Sequence, residues 1–315
     1  MASIYILGAG AMGCLWASHL HRALRQDARH SVAFLSTKPD TNERVTFSLT
    51  SPFLSPSESL FQTDLPVSKP ADLNIATSDQ PNIILLCTKS YHALDAALQL
   101  KPFLNEHSYL VLFQNGLGSQ YAILDALGDI AIYAAVSTEG VNRQASGKLV
   151  HAGKGLTRIG PLNDTAREIS KFRHCLEMLS HDGIETLAQE TIWPALWEKL
   201  AINCAINPFT AILDCPNGEI KNSPLFQQNW PALKQELCAL LNQAGMSTLE
   251  DELEQSVFQV IEHTRSNISS MLQDIRAHRK TEIDDINGFA ADYLSAHNLP
   301  SIINSQLSAK VREIQ

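Results

Sequence analysis

Lys199, Asn203 and Asn207 recur every four residues in the stretch WEKLAINCAINPFTAIL, residues 197–213. Four residues advance a helix by about 400°, so the three side chains fall within an arc of about 80° on one face. The flanking positions are Leu200, Ala201, Ile202, Cys204 and Ile206. A helix apolar on most sides is buried, and its polar stripe then lines a cavity. An ammonium is costly there unless it meets an anion or loses its proton. The chemistry on offer is proton donation, because a lysine whose pKa is lowered toward the working pH is a candidate general acid. An interhelical polar seam, or a lysine snorkelling to water, would give the same spacing.

A second polar set lies in TRSNISSMLQDIRAHRKTEIDDINGF. Helical phase puts Asn267, Ser270 and Asp274 on one face. The TEID segment reads as a capping box, with Thr281 as N-cap and Asp284 three residues on. That places Glu282 in a first helical turn, where a carboxylate is stabilised in its charged form and can accept hydrogen bonds from substrate hydroxyls. Ordinary helix-start chemistry accounts equally well for Glu282 and Asp284, and Ser270 serves equally as a small packing residue. Ideal phase sets Ser270 and Glu282 about 120° apart, so they converge only if the helix breaks between them.

Near the N-terminus, YILGAGAMGCLW holds Gly8, Gly10 and Gly13 in a GxGxxG pattern. The pattern follows a strand and opens a helix, the context of a dinucleotide-binding loop. The residues of that loop are Gly8, Ala9, Gly10, Ala11, Met12 and Gly13. Gly8 permits the tight turn, Gly10 lets the backbone approach a pyrophosphate, and Gly13 allows close packing of helix on sheet. NAD enzymes commonly place an acid at the end of the second strand. Here that strand ends in Ser36, Thr37 and Lys38, while Asp27 precedes it. Two hydroxyls and a lysine suit a 2′-phosphate, which favours NADPH over NADH; a solvated loop lysine is the alternative for Lys38. Lys89 in LLCTKSYH and Asn115 with Gly116 in LFQNGLGS stand just past two further strands, on the edge where such sheets bind ligands. Lys89 would hold a phosphate or a carboxylate, and Asn115 the nicotinamide region or the substrate. A surface lysine and a plain NG turn are the alternatives.

The elements that must position these residues follow from periodicity. SIYIL (3–7), SVAFL (31–35), NIILLCT (82–88), SYLVLFQ (108–114) and IAIYAAV (130–136) are near-continuous apolar runs, as expected of strands covered on both faces. Helical patterns such as GCLWASHLHRAL and HALDAALQLKPFL lie between several of them. This βαβ series predicts an α/β fold with a doubly wound parallel sheet. Residues 39–81, rich in Ser, Thr and Pro, predict irregular loops and short strands. Segments 148–160 and 183–189 predict further strands near the sheet edge. Past residue 190 the pattern is helical, over 191–213, 223–245, 249–275 and 282–297. The expected division is a dinucleotide-binding domain at 1–189 and an all-α substrate and catalytic domain at 190–315.

Bulk properties narrow the function class. The chain has 315 residues, 44% hydrophobic and 18% charged, with a net charge of −9. That balance gives no chain-wide attraction to nucleic acid or to an anionic membrane. Six scattered cysteines form no CxxC pair, and the eleven histidines form no HxxxH or HExxH pattern, so no metal site is expected. No basic segment precedes a long apolar run at the N-terminus, and no apolar run approaches the ~20 residues that span a bilayer. A cytoplasmic monomer or homodimer acting on a small molecule is the expectation.

Taken together, these residues strongly resemble the ketopantoate reductase (2-dehydropantoate 2-reductase) family over essentially the whole chain. The matching blocks are GAGAMG at 8–13, TKS at 88–90, QNGLGS at 114–119, WEKLAINCAINPFTAI at 197–212, CPNGEI at 215–220 and NISSMLQDIRAHRKTEIDDINGF at 267–289. The resemblance implies an N-terminal Rossmann domain, a helical domain of the 6-phosphogluconate-dehydrogenase type, and an active site between them. It implies NADPH-dependent reduction of ketopantoate to pantoate, toward pantothenate and coenzyme A. The family's catalytic lysine falls on Lys199 and its key glutamate on Glu282. Its substrate-contacting residues fall on Asn115, Asn203, Asn207 and Ser270, with Asn267 and Asp274 as neighbours, and its cofactor-side lysine on Lys89. Members similar to this chain often carry Arg at the end of the second strand, where Ser36 and Thr37 stand here. A reductase of another 2-oxo acid, and a non-catalytic NADP-sensing protein, are the two competing readings.

Overall fold

The computed structural model describes residues 2–25, 30–38, 43–54, 59–73, 76–77, 80–144, 147–181 and 183–315. Asp27 lies outside them. Two compact units result: residues up to Gln114 with Ser119–Trp193, and Asn115–Gly118 with Pro194–Gln315. The four residues Asn115–Gly118 thus group with the helices, although the chain enters them from a strand.

The first unit is built on one sheet of eleven strands among the described residues. The strands are β1 (Ala2–Leu7), β2 (His30–Leu35), β3 (Arg44–Thr50), β4 (Leu60–Ser68), β5 (Asn82–Leu86), β6 (Ser108–Leu112), β7 (Ala131–Ser137), β8 (Gly140–Arg143), β9 (Lys148–Gly153), β10 (Leu156–Pro161) and β11 (Glu185–Ala188). Their order is β11-β10-β7-β6-β5-β1-β2-β4-β3-β9-β8. The run β7-β6-β5-β1-β2-β4 is parallel throughout. This is the doubly wound order, with its switch between β1 and β5. Every residue of β5, β6 and β7 is buried, as apolar strands sandwiched between layers require. The helices of this unit are α1 (Ala11–Leu24), α2 (Ser90–Leu100), α3 (Ser119–Leu127), α4 (Asp164–Arg167) and α5 (Ile169–Leu179).

The Ser/Thr-rich segment forms more regular structure than its composition suggests. β3 and β4 pair antiparallel over seven residues, and β3 alternates buried Phe47 and Leu49 with more exposed neighbours. That alternation outweighs the polar composition. β3 also pairs parallel with β9, and β9 antiparallel with β8, so a hairpin from late in this unit joins strands from early in it. Segment 148–160 supplies both β9 and β10, and β11 forms one edge of the sheet.

The described residues of the second unit are helical: α6 (Trp193–Leu213, whose first residue belongs to the first unit), α7 (Pro224–Gln243), α8 (Glu250–His263), α9 (Ser270–Arg276), α10 (Phe289–Ala296) and α11 (Ile302–Ile314). Two sequence expectations are corrected here. The 249–275 pattern is two helices, so Asn267 lies in the turn before α9 and not on one helix face with Ser270 and Asp274. Ser269 is the N-cap of α9, accepting from Leu272 N at 3.1 Å, and it stops the pattern running through. The Thr281–Asp284 capping box does not form either. The Asp284 carboxylate accepts from Arg312 Nε at 2.7 Å, and Thr281 Oγ1 donates to Gln315 Oε1 at 2.9 Å. A wide turn, Asp284–Gly288, with i to i+5 hydrogen bonding leads into α10 instead.

Candidate functional site

Gly8 follows β1 with φ +114, in the left-handed region that favours glycine. A Cβ there would stand 2.7 Å from the carbonyl carbon and oxygen of Cys87, which follows β5. The glycine therefore lets the β1 and β5 ends close together at the switch point. A Cβ at Gly13 would lie 2.1 Å from the Gly8 carbonyl oxygen and 3.1 Å from Ile6 Cγ2, so helix α1 sits tight on the sheet. Gly10 differs. It is exposed, and an added Cβ would find only the Cys87 oxygen within 4.0 Å. No close protein neighbour requires glycine at that point, so the open face suits the approach of an external group.

Gly10 is also the N-cap of α1, supplying no side-chain cap, and the first turn carries no acid. The first turn of α1 therefore supplies no anion of its own to the helix's positive end, a fit for a dinucleotide pyrophosphate. Thr88, beyond β5, has a buried Oγ1 with no hydrogen-bond partner. Lys89 follows it as the N-cap residue of α2 and is half-buried. At the end of β2, Ser36 Oγ accepts from the Lys38 amide at 3.2 Å, and Lys38 is exposed. The residues of this edge, from Gly8–Gly13 to Ser36, Lys38 and Lys89, can accommodate a dinucleotide.

In the helical unit the polar groups gather around Glu282, which is 4% exposed. Asn115 Nδ2 donates to Glu282 Oε2 at 3.3 Å. Its neighbours hold it there. Leu117 N donates to Asp285 O at 3.0 Å, and a Cβ at Gly116, φ +79, would lie 2.1 Å from that same oxygen. The left-handed residue of the NG turn is thus Gly116, and Asn115 is released from the turn to face the carboxylate. Lys199 is half-buried on α6. Burial lowers its pKa from 10.5 to about 8, with the Glu282 charge opposing the shift. One turn on, Asn203 has a buried Nδ2 without a hydrogen-bond partner, and Asn207 is buried.

The next turn of α6 ties this stripe to α9. Thr210 Oγ1 lies 2.6 Å from Ser269 Oγ, the α9 cap, and also donates to Asn207 O at 2.8 Å. Ser270 opens α9 and is exposed. Asn267 accepts from Asn217 N at 3.0 Å through its carbonyl. Asp274 pairs with Arg279 Nε at 3.0 Å, so it serves the architecture of α9. Asn217 is a residue the spacing arguments missed. Its Nδ2 donates to Thr264 Oγ1 at 2.9 Å, and its Oδ1 is buried with no partner. Its one trace in the sequence was the CPNGEI block at 215–220, which carried the family resemblance without a role for Asn217.

A doubly wound sheet with an open glycine loop, joined to a helical unit carrying an amine of lowered pKa beside an acid, defines a nicotinamide-dependent oxidoreductase. Residues 4–164 match the family model described as ketopantoate reductase PanE/ApbA, and residues 191–315 its C-terminal model. The 2-dehydropantoate 2-reductase of Vibrio cholerae is 32% identical over 99% of this chain and 98% of its own. The crystal structure of 2-dehydropantoate 2-reductase from Geobacter metallireducens GS-15 superposes with a TM-score of 0.79 at 21% identity, covering 99% of this chain and 100% of that one. A D-mandelate dehydrogenase with NADH and anilino(oxo)acetate shares the fold at a TM-score of 0.77 and 21% identity, over 99% and 97% of the two chains. The chain belongs to the ketopantoate reductase family.

Proposed function

We propose that the chain reduces 2-dehydropantoate to (R)-pantoate with NADPH, a cytoplasmic step toward pantothenate and coenzyme A. The observation that carries this reading is the Lys199–Glu282–Asn115 group, an amine tuned to about 8 by burial next to an ionisable acid. The dinucleotide is assigned to the Gly8–Gly13 loop, with Ser36, Thr37 and Lys38 facing a 2′-phosphate and Lys89 a phosphate. When bound, a dihydronicotinamide supplies the hydride that reduces the keto carbon.

Lys199 Nζ gives its proton to the carbonyl oxygen as negative charge develops there, and solvent later restores it. Glu282 keeps the amine protonated and accepts a hydrogen bond from a substrate hydroxyl. Asn115 orients that carboxylate. Asn203 offers its unsatisfied Nδ2 to a substrate oxygen, and Asn217 its Oδ1 to a hydroxyl. Asn207, Asn267 and Ser270 complete the substrate contacts.

The D-mandelate dehydrogenase likeness is one of fold, and a fold does not dictate the carbon skeleton of the acid. Oxidation of NADPH and of NADH, each measured with 2-dehydropantoate and with simpler 2-oxo acids, tests substrate and cofactor together. Fastest turnover with NADPH and 2-dehydropantoate is expected. Preference for another acid overturns the substrate assignment, and cofactor binding without turnover of any acid overturns catalysis.

A further inference from the structure

Arg143, at the end of β8, reaches the glycine loop from 134 residues downstream, its Nη1 donating to the Ala9 carbonyl oxygen at 2.7 Å. It is exposed, and no carboxylate pairs with it among the described residues. It stands by the positive end of α1, where the first turn holds no acid and the cap residue has no side chain. A cation placed beside a helix N-terminus is disfavoured unless an anion joins them. The effect of Arg143 extends into the helix, where its charge opposes the rise that burial imposes on the Cys14 pKa. A guanidinium carries five donors in a planar fork suited to phosphate oxygens, and the bond to Ala9 uses one of them.

We propose that Arg143 is a cofactor-binding residue that, together with the α1 amides, holds the pyrophosphate of the dinucleotide. This rests on reading Gly8–Gly13 as the dinucleotide loop. The pyrophosphate is favoured over the 2′-phosphate because the anchor point is Ala9, next to the open face of Gly10, whereas the 2′-phosphate candidates Ser36, Thr37 and Lys38 stand at the end of β2.

Equilibrium fluorescence titration of NADPH and NADH into wild type, Arg143→Gln and Arg143→Lys, at low and high salt, tests the assignment without any turnover. Melting temperatures check that the exposed substitutions leave the fold intact. Glutamine keeps a donor for Ala9 but removes the charge. It should weaken both cofactors about tenfold or more and flatten the salt dependence. Lysine should recover the salt dependence and part of the affinity. A glutamine variant that binds both cofactors like wild type reduces Arg143 to a tie for the loop and overturns the proposal. So does a lysine variant as weak as glutamine, or a loss confined to NADPH, which would move the contact to the 2′-phosphate. A wild type that binds neither cofactor overturns the dinucleotide reading of the loop itself.

Discussion

Among the described residues, a serine–histidine–glutamate group in the sheet unit and the lysine–glutamate group of the helical unit are built for different purposes. In the sheet unit, Ser51 Oγ lies 3.1 Å from His151 Nδ1, and His151 Nε2 lies 2.6 Å from Glu139 Oε2. Gly155 N donates to the same carboxylate oxygen at 2.9 Å. The order serine, histidine, acid is that of a nucleophilic array. Yet the His151 and Glu139 side chains have no exposure, and Ser51 has none. No substrate reaches them. The array fastens the end of β3 to β9 and to the turn after β7. In the helical unit, Lys199 is half-buried, its pKa is drawn toward neutrality, and Asn203 beside it keeps an unsatisfied donor. Residue types alone do not separate architecture from chemistry. Access, tuned charge and unmet hydrogen bonds do.

His151→Ala strands a buried carboxylate and should cost about 3–5 kcal/mol, read as a lower denaturation midpoint, with kcat per folded molecule unchanged. A fall in kcat without loss of stability would give that array a chemical role. Lys199→Ala should act on turnover instead, with at least a ~100-fold loss of kcat, about 2.7 kcal/mol in the barrier. Near-normal turnover would remove Lys199 from the mechanism. Gly116→Ala would force a Cβ against the Asp285 carbonyl from a left-handed backbone, and should cost about 1–3 kcal/mol of stability while raising KM through displaced Asn115. An unaltered KM would detach Asn115 from substrate binding. Smallest is Ser51→Ala, which removes one hydrogen bond to His151 and should cost about 1 kcal/mol with no kinetic effect.

Much of the sheet was legible because its signals are local. Apolar runs such as NIILL and AIYAAVS declare buried strands, and GAGAMG between a strand and a helix declares its loop. The polar stripe of α6 was legible for the same reason, a four-residue recurrence on an apolar helix. What failed depended on partners far along the chain. The capping box at Thr281 lost Asp284 to Arg312, 28 residues on. The β3–β9 pairing joins Ser48 to Lys148, and no periodicity announces it. Asn115 was open to reading as a ligand contact or as part of a plain NG turn, and its bond to Glu282 spans 167 residues, which no local spacing announces. The contacts of Asn217 and Arg143 were illegible because each is defined by what it meets and not by its neighbours in sequence.

In the proposed mechanism Lys199 acts as a protonated donor whose pKa is set low by burial and partly restored by Glu282. Only the protonated form donates, so the rate must fall as pH rises through the lysine pKa. The most direct measurement is the pH dependence of 2-dehydropantoate reduction in wild type and in Glu282→Gln. The wild-type rate should decline through about pH 8. The variant lacks the charge that raises the lysine pKa, so its decline should begin at lower pH. Declining limbs that coincide in the two proteins would contradict the account.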